Sequence, residues 1–446
     1  MAEASTHPSS VYRSWLARGF ADEDELCALG DKDPKRCEQV VDALVCLGTP
    51  LHEQGSNRYT FLFQLPEDTP ADQASVHLFL NRITDKDNYA QGVMHHVPGT
   101  RWWVRTLILP PSYQGSYGFR TGNGGDGPTR HHAAHGTEGH LLDPHSPRPA
   151  LAQQGPRGLS HFAGQAAPTP QFFPPVPGAQ ARCLEGHRLH PGHLFEASAE
   201  LLGQRPVFLW VPAPGLSTDK PLPTVVLFDA DSWFRRFNLA DALDAACSAG
   251  VLPPCAVIGV GVNDIPDRRR VLGGNDDFAQ AVIPWAQRWA QEVLDKQESP
   301  NTLAQQPLVV AGQSLGGILA LRCAQLFPEH IAAAVAQSPS MWWAPGENAT
   351  PSALGSRVVD WISEQYALAA PKHHVPLLLA VGARETPLLP RVLLLSLTAQ
   401  RAGWPCTVAV EDGGHDYCWW RENLIELLAQ ALGNNNQHAP GKATLL

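Results

Sequence analysis

The chain has 446 residues, of which 43% are hydrophobic, and its formal net charge at pH 7 is −10. This length suits two domains with hydrophobic cores of their own. An acidic surface argues against nonspecific binding of nucleic acid or anionic membranes, so an anionic ligand must bind at a local basic patch.

The N-terminal segment and the cysteines bear on location. MAEASTHPSSVYRSWLARGF lacks the apolar core of a signal peptide, and no apolar run in the chain is long enough to cross a bilayer. Nine cysteines, an odd number without a CxxC pair, do not form the pattern of a disulfide framework. We therefore expect a soluble, cytoplasmic protein.

The first part of the chain predicts β-structure. The first thirty or so residues carry no clear pattern, and residues 37–47 predict a short helix. Between Tyr59 and Phe119, turn residues separate four strand-like runs, which are YTFLFQLP, ASVHLFLN, TRWWVRTLILP and GSYGF. These runs predict a small all-β sandwich of the immunoglobulin-like type.

Residues 122–178 are rich in Gly, Pro, His and Ala and predict an irregular segment at the end of the first domain. Its histidines, including His131, His132 and His135, lack paired spacing on one element, so we expect them to be solvated and not to bind metal. We place the first domain at residues 1–180, a catalytic domain at 181–435 and a flexible tail at 436–446.

The second part alternates strands with helices, which predicts an α/β fold with a largely parallel sheet. One helical stretch places Phe278, Val282, Trp285, Trp289 and Val293 on one face, so we expect these side chains in the core. The active site of such a sheet lies at the carboxyl ends of its strands. The predicted strands are residues 207–211, 224–228, 256–262, 308–311, 331–336, 376–381 and 407–410.

The segment PLVVAGQSLGGILA at 307–320 has the pattern of a nucleophile elbow. A strand runs into Gly-Gln-Ser-Leu-Gly and then into helix-forming residues, so Ser314 is the candidate nucleophile. Gly312 and Gly316 let neighbouring backbone pass close to it. The backbone N–H of Leu315 is then the first candidate oxyanion donor.

A serine nucleophile requires a histidine base and an orienting carboxylate, which follow in that order in α/β-hydrolases. Of nineteen histidines, His415 alone follows a strand and a glycine turn, in TVAVEDGGHD. Glu385 ends the strand-and-loop segment VPLLLAVGARE and is the candidate acid, although an exposed glutamate beside Arg384 would fit the same pattern. Asp360 is a rival acid that lacks a preceding strand.

The second oxyanion donor is expected in the loop after an earlier strand. The backbone N–H of Asp231 or Ser232, in LFDADSWF at 227–234, is the candidate. The side chain of Asp231 could instead cap the next helix.

Several motifs together resemble the enterochelin (ferric enterobactin) esterases. They are GQSLGG at 312–317, QSPSMWW at 337–343, GGHDYCWWRENL at 413–424, LFDADSWF, and TRWWVRTLILPPSYQGSYGF in the front domain. The resemblance implies a β-sandwich followed by an esterase-D-like α/β-hydrolase domain. It also implies cytoplasmic hydrolysis of the triserine lactone of catecholate siderophores, with Ser314 as nucleophile, His415 as base and Glu385 as acid.

Two departures from the family pattern concern the acid and the substrate. Thr386 replaces the proline of the family's Gly-x-x-Glu-Pro. In NDIPDRRRVLGGN at 263–275, Arg268 and Asn275 match the family, but Val271 stands where the family has a glutamate.

The substrate implied by the resemblance is a ferric catecholate siderophore, a small anionic molecule. Iron would enter only as part of this substrate, and no metal cofactor is needed. Arg268, Arg269 and Arg270 form the densest basic cluster near the strand ends and could bind it, or could be a solvated loop. Trp342 and Trp343 could offer flat faces to catechol rings, or could be core residues. The alternatives are a general carboxylesterase of the same fold, acting on acyl or feruloyl esters, and a non-catalytic siderophore-binding or carbohydrate-binding protein.

Overall fold

The computed structural model describes residues 8–66, 74–123, 139–154, 157–173, 194–212, 220–305, 307–346, 350–368 and 373–433. They form two compact units. The first unit runs to Thr169 and the second covers the described residues from Leu194 on, except that Asp416–Cys418 group with the first and residues 170–173 with the second. The predicted tail and the histidines at 131, 132 and 135 lie outside the described residues.

The first unit combines helices with two four-stranded antiparallel sheets. Its helices are α1 (Pro8–Arg18), α2 (Glu23–Lys32) and α3 (Pro34–Val45). One sheet has the order β1-β2-β5-β4, formed by β1 (Leu51–His52), β2 (Arg58–Gln64), β4 (His95–His96) and β5 (Trp102–Ile108). The other has the order β3-β6-β8-β7, formed by β3 (Ala74–Leu80), β6 (Gln114–Asn123), β7 (Ala152–Gln154) and β8 (Arg157–Ala163).

The predicted strands of this unit are confirmed, and two helices that the sequence did not predict, α1 and α2, precede the predicted short helix. Helix α2 begins with a capping box in which Asp22 and Glu25 each accept the other's backbone N–H. Helix α3 begins with Asp33 as its cap and Pro34 in its first turn, and it corresponds to the predicted short helix. In both helices an aspartate side chain accepts a backbone N–H of the first turn.

Strand β2 has apolar side chains on both of its faces, and helices α1 to α3 cover one of these faces. Its alternate residues Tyr59, Phe61 and Phe63 belong to the core between the sheets. Leu62, between them, faces the other side and packs with Trp102 and buried residues of the three helices. The strand is thus apolar on both faces, and the helices cover the face that a sandwich alone would leave exposed.

The prediction that residues 122–178 are irregular is wrong for part of that segment. Strands β7 and β8 lie within it, and β8 pairs with β6. Phe162 of β8 is buried and contacts Tyr59 edge to face, with ring centroids 4.9 Å apart. A sequence rich in Gly and Pro therefore still supplies one edge of the second sheet.

The second unit is an eight-stranded mixed sheet with helices, so the predicted α/β class is confirmed. The strand order is β16-β15-β14-β13-β11-β12-β10-β9. Its strands are β9 (Leu194–Glu200), β10 (Gln204–Trp210), β11 (Thr224–Phe228), β12 (Ala256–Val260), β13 (Leu308–Gln313), β14 (Ile331–Gln337), β15 (Leu377–Gly382) and β16 (Cys406–Glu411). Its helices are α4 (Leu239–Ser248), α5 (Ile265–Val271), α6 (Asp276–Lys296), α7 (Leu315–Leu326), α8 (Trp361–Leu368), α9 (Leu389–Arg401) and α10 (Tyr417–Ala431).

All seven strands predicted for this unit are present, and β9 was missed. The strands from β11 to β16 pair in parallel, whereas β9 and β10 are antiparallel to their neighbours. The chain leaves β11 for β12 on one side and then returns to β13 on the other. This reversal creates a crevice at the carboxyl ends of β11 and β13, where open α/β sheets bind their ligands.

Helix α6 carries the predicted apolar face, but only part of that face is fully buried. Phe278 and Val282 are in the core, whereas Trp285, Trp289 and Val293 are half-buried at its margin. The two tryptophan rings stack on each other with centroids 5.1 Å apart. Across the described parts of both units, no helix is sufficiently long and apolar to cross a membrane.

Candidate active site

Ser314 follows β13 directly and has φ 54° and ψ −117°, a backbone conformation rare for residues other than glycine. Helix α7 begins at the next residue, Leu315. The strained turn lifts the serine side chain away from both elements, as a nucleophile elbow requires. The predicted strand, turn and helix around this serine are therefore all present.

The elbow depends on glycine at position 312. A Cβ atom there would lie 2.4 Å from the backbone carbonyl carbon of Gly316, which belongs to the first turn of α7. Backbone cannot move aside as a flexible side chain can, so the turn closes only if residue 312 has no side chain.

His415 lies in the loop between β16 and α10 and is held there by close backbone contacts. A Cβ atom on Gly382, the last residue of β15, would lie 2.4 Å from the carbonyl oxygen of Gly413. The indole N–H of Trp419 donates to the carbonyl of Gly414 at 2.6 Å. The ring of Trp420 stands edge-on to the imidazole of His415, with centroids 4.7 Å apart.

Glu385 lies just beyond β15 and is fully buried. Its Oε1 accepts hydrogen bonds from the hydroxyl of Ser338 at 2.5 Å and from the backbone N–H of Gly382 at 2.9 Å. Because Glu385 is buried, the alternative of an exposed glutamate beside Arg384 is wrong. Arg384 instead pairs with Asp412 at 2.8 Å.

The structure brings Ser314, His415 and Glu385 together in one hydrogen-bonded chain. Nε2 of His415 lies 3.1 Å from Oγ of Ser314, and its Nδ1 lies 2.6 Å from Oε2 of Glu385. Burial alone would raise the pKa of Glu385, but the nearby His415 and the hydrogen bonds from His415, Ser338 and Gly382 outweigh burial and lower that pKa. A carboxylate at this position fixes the imidazole with Nδ1 protonated and Nε2 free to accept a proton.

Asp360 is not part of this chain. It immediately precedes α8, and its Oδ1 lies 2.6 Å from Nη1 of Arg391. Burial is the main cause that raises its pKa, and Arg391 opposes that effect. The rival acid therefore forms a structural ion pair.

The candidate oxyanion donors lie at the carboxyl ends of β11 and β13. Leu315 is the first residue of α7, where an α-helix leaves its N–H without a partner in the helix. The N–H of Ser232 donates to the carbonyl of Asp229 at 3.1 Å, so this N–H is already engaged. The N–H of Asp231 hydrogen-bonds to the carboxyl group of its own residue, so both N–H groups already have a partner and their role as oxyanion donors stays a prediction.

The side chain of Asp231 does not cap the following turn. It accepts the backbone N–H of Val262, beyond β12, at 3.1 Å. Burial, aided by the neighbouring Asp229, raises the pKa of Asp231. The capping role considered from the sequence is therefore wrong, and the carboxyl group instead ties together the loops after β11 and β12.

The three predicted arginines lie on α5 and point to different partners. Arg268 forms two hydrogen bonds of 2.7 Å with the buried carboxylate of Asp229, at the end of β11. Arg270 contacts Asp267 at 2.6 Å and the carbonyl of Leu202, in the turn between β9 and β10. Arg269 is exposed. Of the cluster, only Arg268 is anchored beside β11, the strand that adjoins β13.

Asn275 caps α6. Its Oδ1 accepts from the N–H of Phe278 at 2.9 Å, and its Nδ2 donates to the carbonyl of Arg270 at 2.6 Å. These contacts give Asn275 a structural role, and its contact with a substrate stays a prediction.

Trp342 and Trp343 are half-buried at the margin of the core, between the two alternatives considered from the sequence. Trp343 packs edge-on against Trp361 at 5.0 Å and closely covers the backbone of Gly273. Part of each tryptophan is thus committed to packing.

Sequence reasoning missed two groups that hold the site together. The loop after β14 supplies Ser338 and Ser340, and Oγ of Ser340 lies 3.0 Å from Oγ of Ser314. Asp229 accepts a hydrogen bond from the side-chain amide of Gln313, the residue before Ser314, at 3.2 Å. The motif QSPSMWW had marked this loop, but nothing in the motif indicated which hydroxyl contacts which triad member.

Among the residues that the structure describes, no group of three or more His, Cys, Asp or Glu side chains is placed to hold a metal ion. The eight described cysteines are all free thiols.

Family comparisons divide the chain in the same two parts. A family model described as "Putative esterase" matches residues 198–431, and a model described as "Enterochelin esterase, N-terminal" matches residues 58–172. The first match contains Ser314, Glu385 and His415.

Two similar proteins cover most of the chain. The iron(III) salmochelin esterase of Escherichia coli O6:H1 is 32% identical over 370 residues, which are 79% of this chain and 82% of that protein. The iron(III) enterobactin esterase of Escherichia coli K12 is 26% identical over 363 residues, covering 79% of this chain and 84% of that protein.

Solved structures share the fold. The enterobactin esterase of Shigella flexneri, crystallised in the presence of enterobactin, superimposes with a TM-score of 0.65 at 23% identity, covering 84% of this chain and 92% of that one. The ferric enterobactin esterase of Salmonella typhimurium superimposes with the same TM-score at 21% identity, covering 85% and 95%.

Proposed function

This chain belongs to the enterochelin esterase family, and we propose that it is a serine esterase that hydrolyses the triserine trilactone of an iron-loaded, enterobactin-like catecholate siderophore. The observation that carries the proposal is the continuous hydrogen-bonded chain from Ser314 through His415 to Glu385. Family membership alone would fit a chain that had lost activity. The intact chain supports an active hydrolase.

Ser314 is the proposed nucleophile, His415 the general base and Glu385 the orienting acid. In acylation, the Ser314 oxygen attacks a lactone carbonyl while its proton moves to Nε2 of His415. The C–O bond to the lactone's serine oxygen then breaks, and the imidazolium donates this proton to that departing oxygen, which leaves as a hydroxyl group. Water, deprotonated by His415, attacks the acyl-enzyme and restores the free Ser314.

The carbonyl oxygen gains negative charge at each attack, and backbone N–H groups are the proposed stabilisers. Leu315 and Asp231 supply them in this proposal. Leu315 begins α7 just after β13, and Asp231 lies in the loop after β11, so both follow the two strands that border the crevice. Ser232 is the alternative to Asp231 in this proposal, and its N–H would have to leave the carbonyl of Asp229 to bind the oxyanion.

A ferric catecholate is anionic, whereas this chain has a formal net charge of −10, so a local positive group must oppose the repulsion. Arg268 is the proposed group because it lies beside β11 and keeps part of its side chain exposed, at 29%. We propose that the exposed parts of Trp342 and Trp343 contact catechol rings. Arg270 and Asn275 are secondary candidates, since their contacts with Asp267 and Phe278 already account for their orientation.

The proposal includes a location and a cofactor requirement. Hydrolysis would take place in the cytoplasm, where released iron can be used, and iron would arrive as part of the substrate. The triad chemistry uses only side chains, backbone and water, so no metal cofactor is proposed. The partner is a small molecule.

A serine-directed phosphonate tests the catalytic assignment. We expect a single adduct on Ser314 and none in the Ser314→Ala variant, because His415 activates only that hydroxyl. An adduct on another serine, or esterase activity that persists undiminished in Ser314→Ala, would overturn the assignment. A general carboxylesterase would pass this test, so the substrate class needs the separate measurement that closes the Discussion.

A further inference from the structure

Ser340 contacts the proposed nucleophile at two points. Its hydroxyl oxygen lies 3.0 Å from Oγ of Ser314, and its backbone N–H donates to the carbonyl oxygen of Ser314 at 3.0 Å. The residue is only 1% exposed, in the loop after β14. Its hydroxyl group is therefore a fixed part of the site and not a solvated side chain.

The proton in the hydrogen bond between the two serines can be assigned from the rest of the chain. Glu385 is ionised because its pKa is lowered, so Nδ1 of His415 must donate to it. In a neutral imidazole, Nε2 is then the acceptor, and the proton between His415 and Ser314 comes from Ser314. Ser314 has only one hydroxyl proton. Ser340 must therefore be the donor to Oγ of Ser314.

We propose that Ser340 is a further catalytic residue, whose hydroxyl orients Ser314 and stabilises negative charge on its oxygen during acylation. The inference deepens the proposed function and depends on Ser314 being the nucleophile. As attack proceeds, the O–H bond of Ser314 breaks and its proton passes to Nε2 of His415. The new C–O bond forms and the carbonyl electrons move to the oxyanion, while Ser340 keeps its own proton throughout.

The energetic reason is that the Ser314 oxygen becomes a stronger hydrogen-bond acceptor as its proton leaves. Hydrogen bonds to charged groups are stronger than those between neutral groups. The contact with Ser340 therefore strengthens toward the transition state, which is the condition for a contact to accelerate the reaction. The buried setting of Ser340 also holds the donor in place before the reaction starts.

Ser338, two residues earlier, is a matched contrast. Its hydroxyl donates to Glu385 at 2.5 Å and accepts from the indole N–H of Trp420 at 3.1 Å. It is a positioning residue, because it acts on the imidazole through Glu385. The two hydroxyls share one loop but act at opposite ends of the triad, so their loss should have different kinetic signatures.

The test is the second-order rate of labelling by a serine-directed phosphonate, measured between pH 5 and 9 in the full chain. We expect Ser340→Ala to lower the plateau rate about 10-fold, the effect of one charge-assisted hydrogen bond, without moving the ascending limb of the pH profile. Ser340→Thr should restore the rate to within about threefold, because it keeps the donor. Ser338→Ala should move the ascending limb, because it alters the partner of the imidazole.

Ser340→Cys replaces the alanine variant in this test if Ser340→Ala does not fold. It should label at a rate below that of the parent and above that expected for Ser340→Ala, since a thiol is a weak hydrogen-bond donor. Labelling of Ser340→Ala at the parent rate would overturn the inference. Equal losses in Ser340→Ala and Ser340→Thr, with equal losses in melting temperature, would assign Ser340 a packing role and also overturn it. A parent that carries no label on Ser314 would remove the proposed function itself, and the inference with it.

Discussion

Glu385 and His415 are 30 residues apart in the sequence, yet Oε2 of one lies 2.6 Å from Nδ1 of the other. Strand pairing accounts for this contact. Strands β15 and β16 are parallel neighbours, and their last residues, Gly382 and Glu411, lie opposite each other. Glu385 and His415 follow these ends by a few residues, so the register of one strand pair sets the distance between their side chains.

The choice of acid gives the first prediction. Glu385→Gln should lower kcat by about 10³-fold, less than the loss of Ser314, because the acid orients the imidazole but forms no bond to the substrate. Asp360→Asn is the matched variant, because it also removes one carboxylate charge, here from the ion pair with Arg391. It should leave kcat within about twofold of the parent and lower the melting temperature. If the two variants exchange these results, Asp360 is the acid. If both remain active, the site works as a dyad of Ser314 and His415.

The elbow gives the second prediction. Gly312→Ala should destabilise the second unit by about 1–3 kcal/mol and abolish labelling of Ser314, because the new Cβ meets the backbone of Gly316 at 2.4 Å. Gly139→Ala is the control, since a Cβ there meets nothing within 4 Å. Urea unfolding and phosphonate labelling measure the two effects. A Gly312→Ala variant that labels normally would show that the turn does not need this glycine.

The third prediction separates the two arginines. Arg268→Ala should destabilise the chain by about 1–3 kcal/mol, because it leaves the buried carboxylate of Asp229 without its cation. It should also raise KM for an anionic ferric catecholate, and added salt should weaken that substrate's binding to the parent. Arg270→Ala should change stability little, since the side chain of Arg270 is 54% exposed.

Neutral p-nitrophenyl esters are the control for both arginine variants. Their KM should change less than twofold, because they carry no charge for an arginine to attract. A similar rise in KM for neutral and anionic substrates in Arg268→Ala would mean that the variant distorts the site and that Arg268 does not recognise charge.

The fourth prediction concerns pH and the first unit. Burial lowers the pKa of His77 from its ordinary 6.5 to about 4, although its hydrogen bond with the carbonyl of Tyr89 opposes the shift. A lowered folded pKa means that the unfolded chain binds the proton first. The contribution of neutral His77 to the free energy of unfolding is therefore fully present above pH 6.5. It is lost as the pH falls toward 4, and the loss amounts to up to roughly 3 kcal/mol.

His77→Gln tests this dependence, because glutamine retains an N–H donor and does not titrate. The parent and the variant should differ in the slope of unfolding free energy against pH between 6.5 and 4, and they should have the same slope above pH 7. Equal slopes throughout would show that His77 is not buried as a neutral group.

Much of the fold could be predicted from sequence because apolar runs mark buried strands. The seven strands predicted in the second unit rest on runs such as Val225–Leu227, which the sheet buries on both faces. Helices α1 and α2 were not predicted, because they are short and lack a long periodic apolar pattern. A cap such as Asp22 with Glu25 is too weak a signal to predict a helix by itself. Strands β7 and β8 were missed because Gly and Pro masked a short β-pattern.

The site divides in a similar way. Ser314 and His415 follow strands through glycine turns, so the order of elements alone suggested that they meet. The contacts of Ser338, Ser340 and Asp229 depend on how single loops bend, including the positive φ values of Ser338 (42°) and Asp229 (57°). Such loop conformations are set by the surrounding sheet and carry no periodic signal in the sequence.

Mass analysis of the products from iron-loaded enterobactin is the most direct test of the account. We expect the parent to open the trilactone and release catechol-bearing serine fragments, in which each ester bond cut adds one water and leaves a carboxylic acid and a serine hydroxyl, and we expect Ser314→Ala to leave the siderophore intact. A parent that cleaves p-nitrophenyl esters but leaves both iron-loaded and iron-free enterobactin unchanged would contradict the account and would favour a general carboxylesterase.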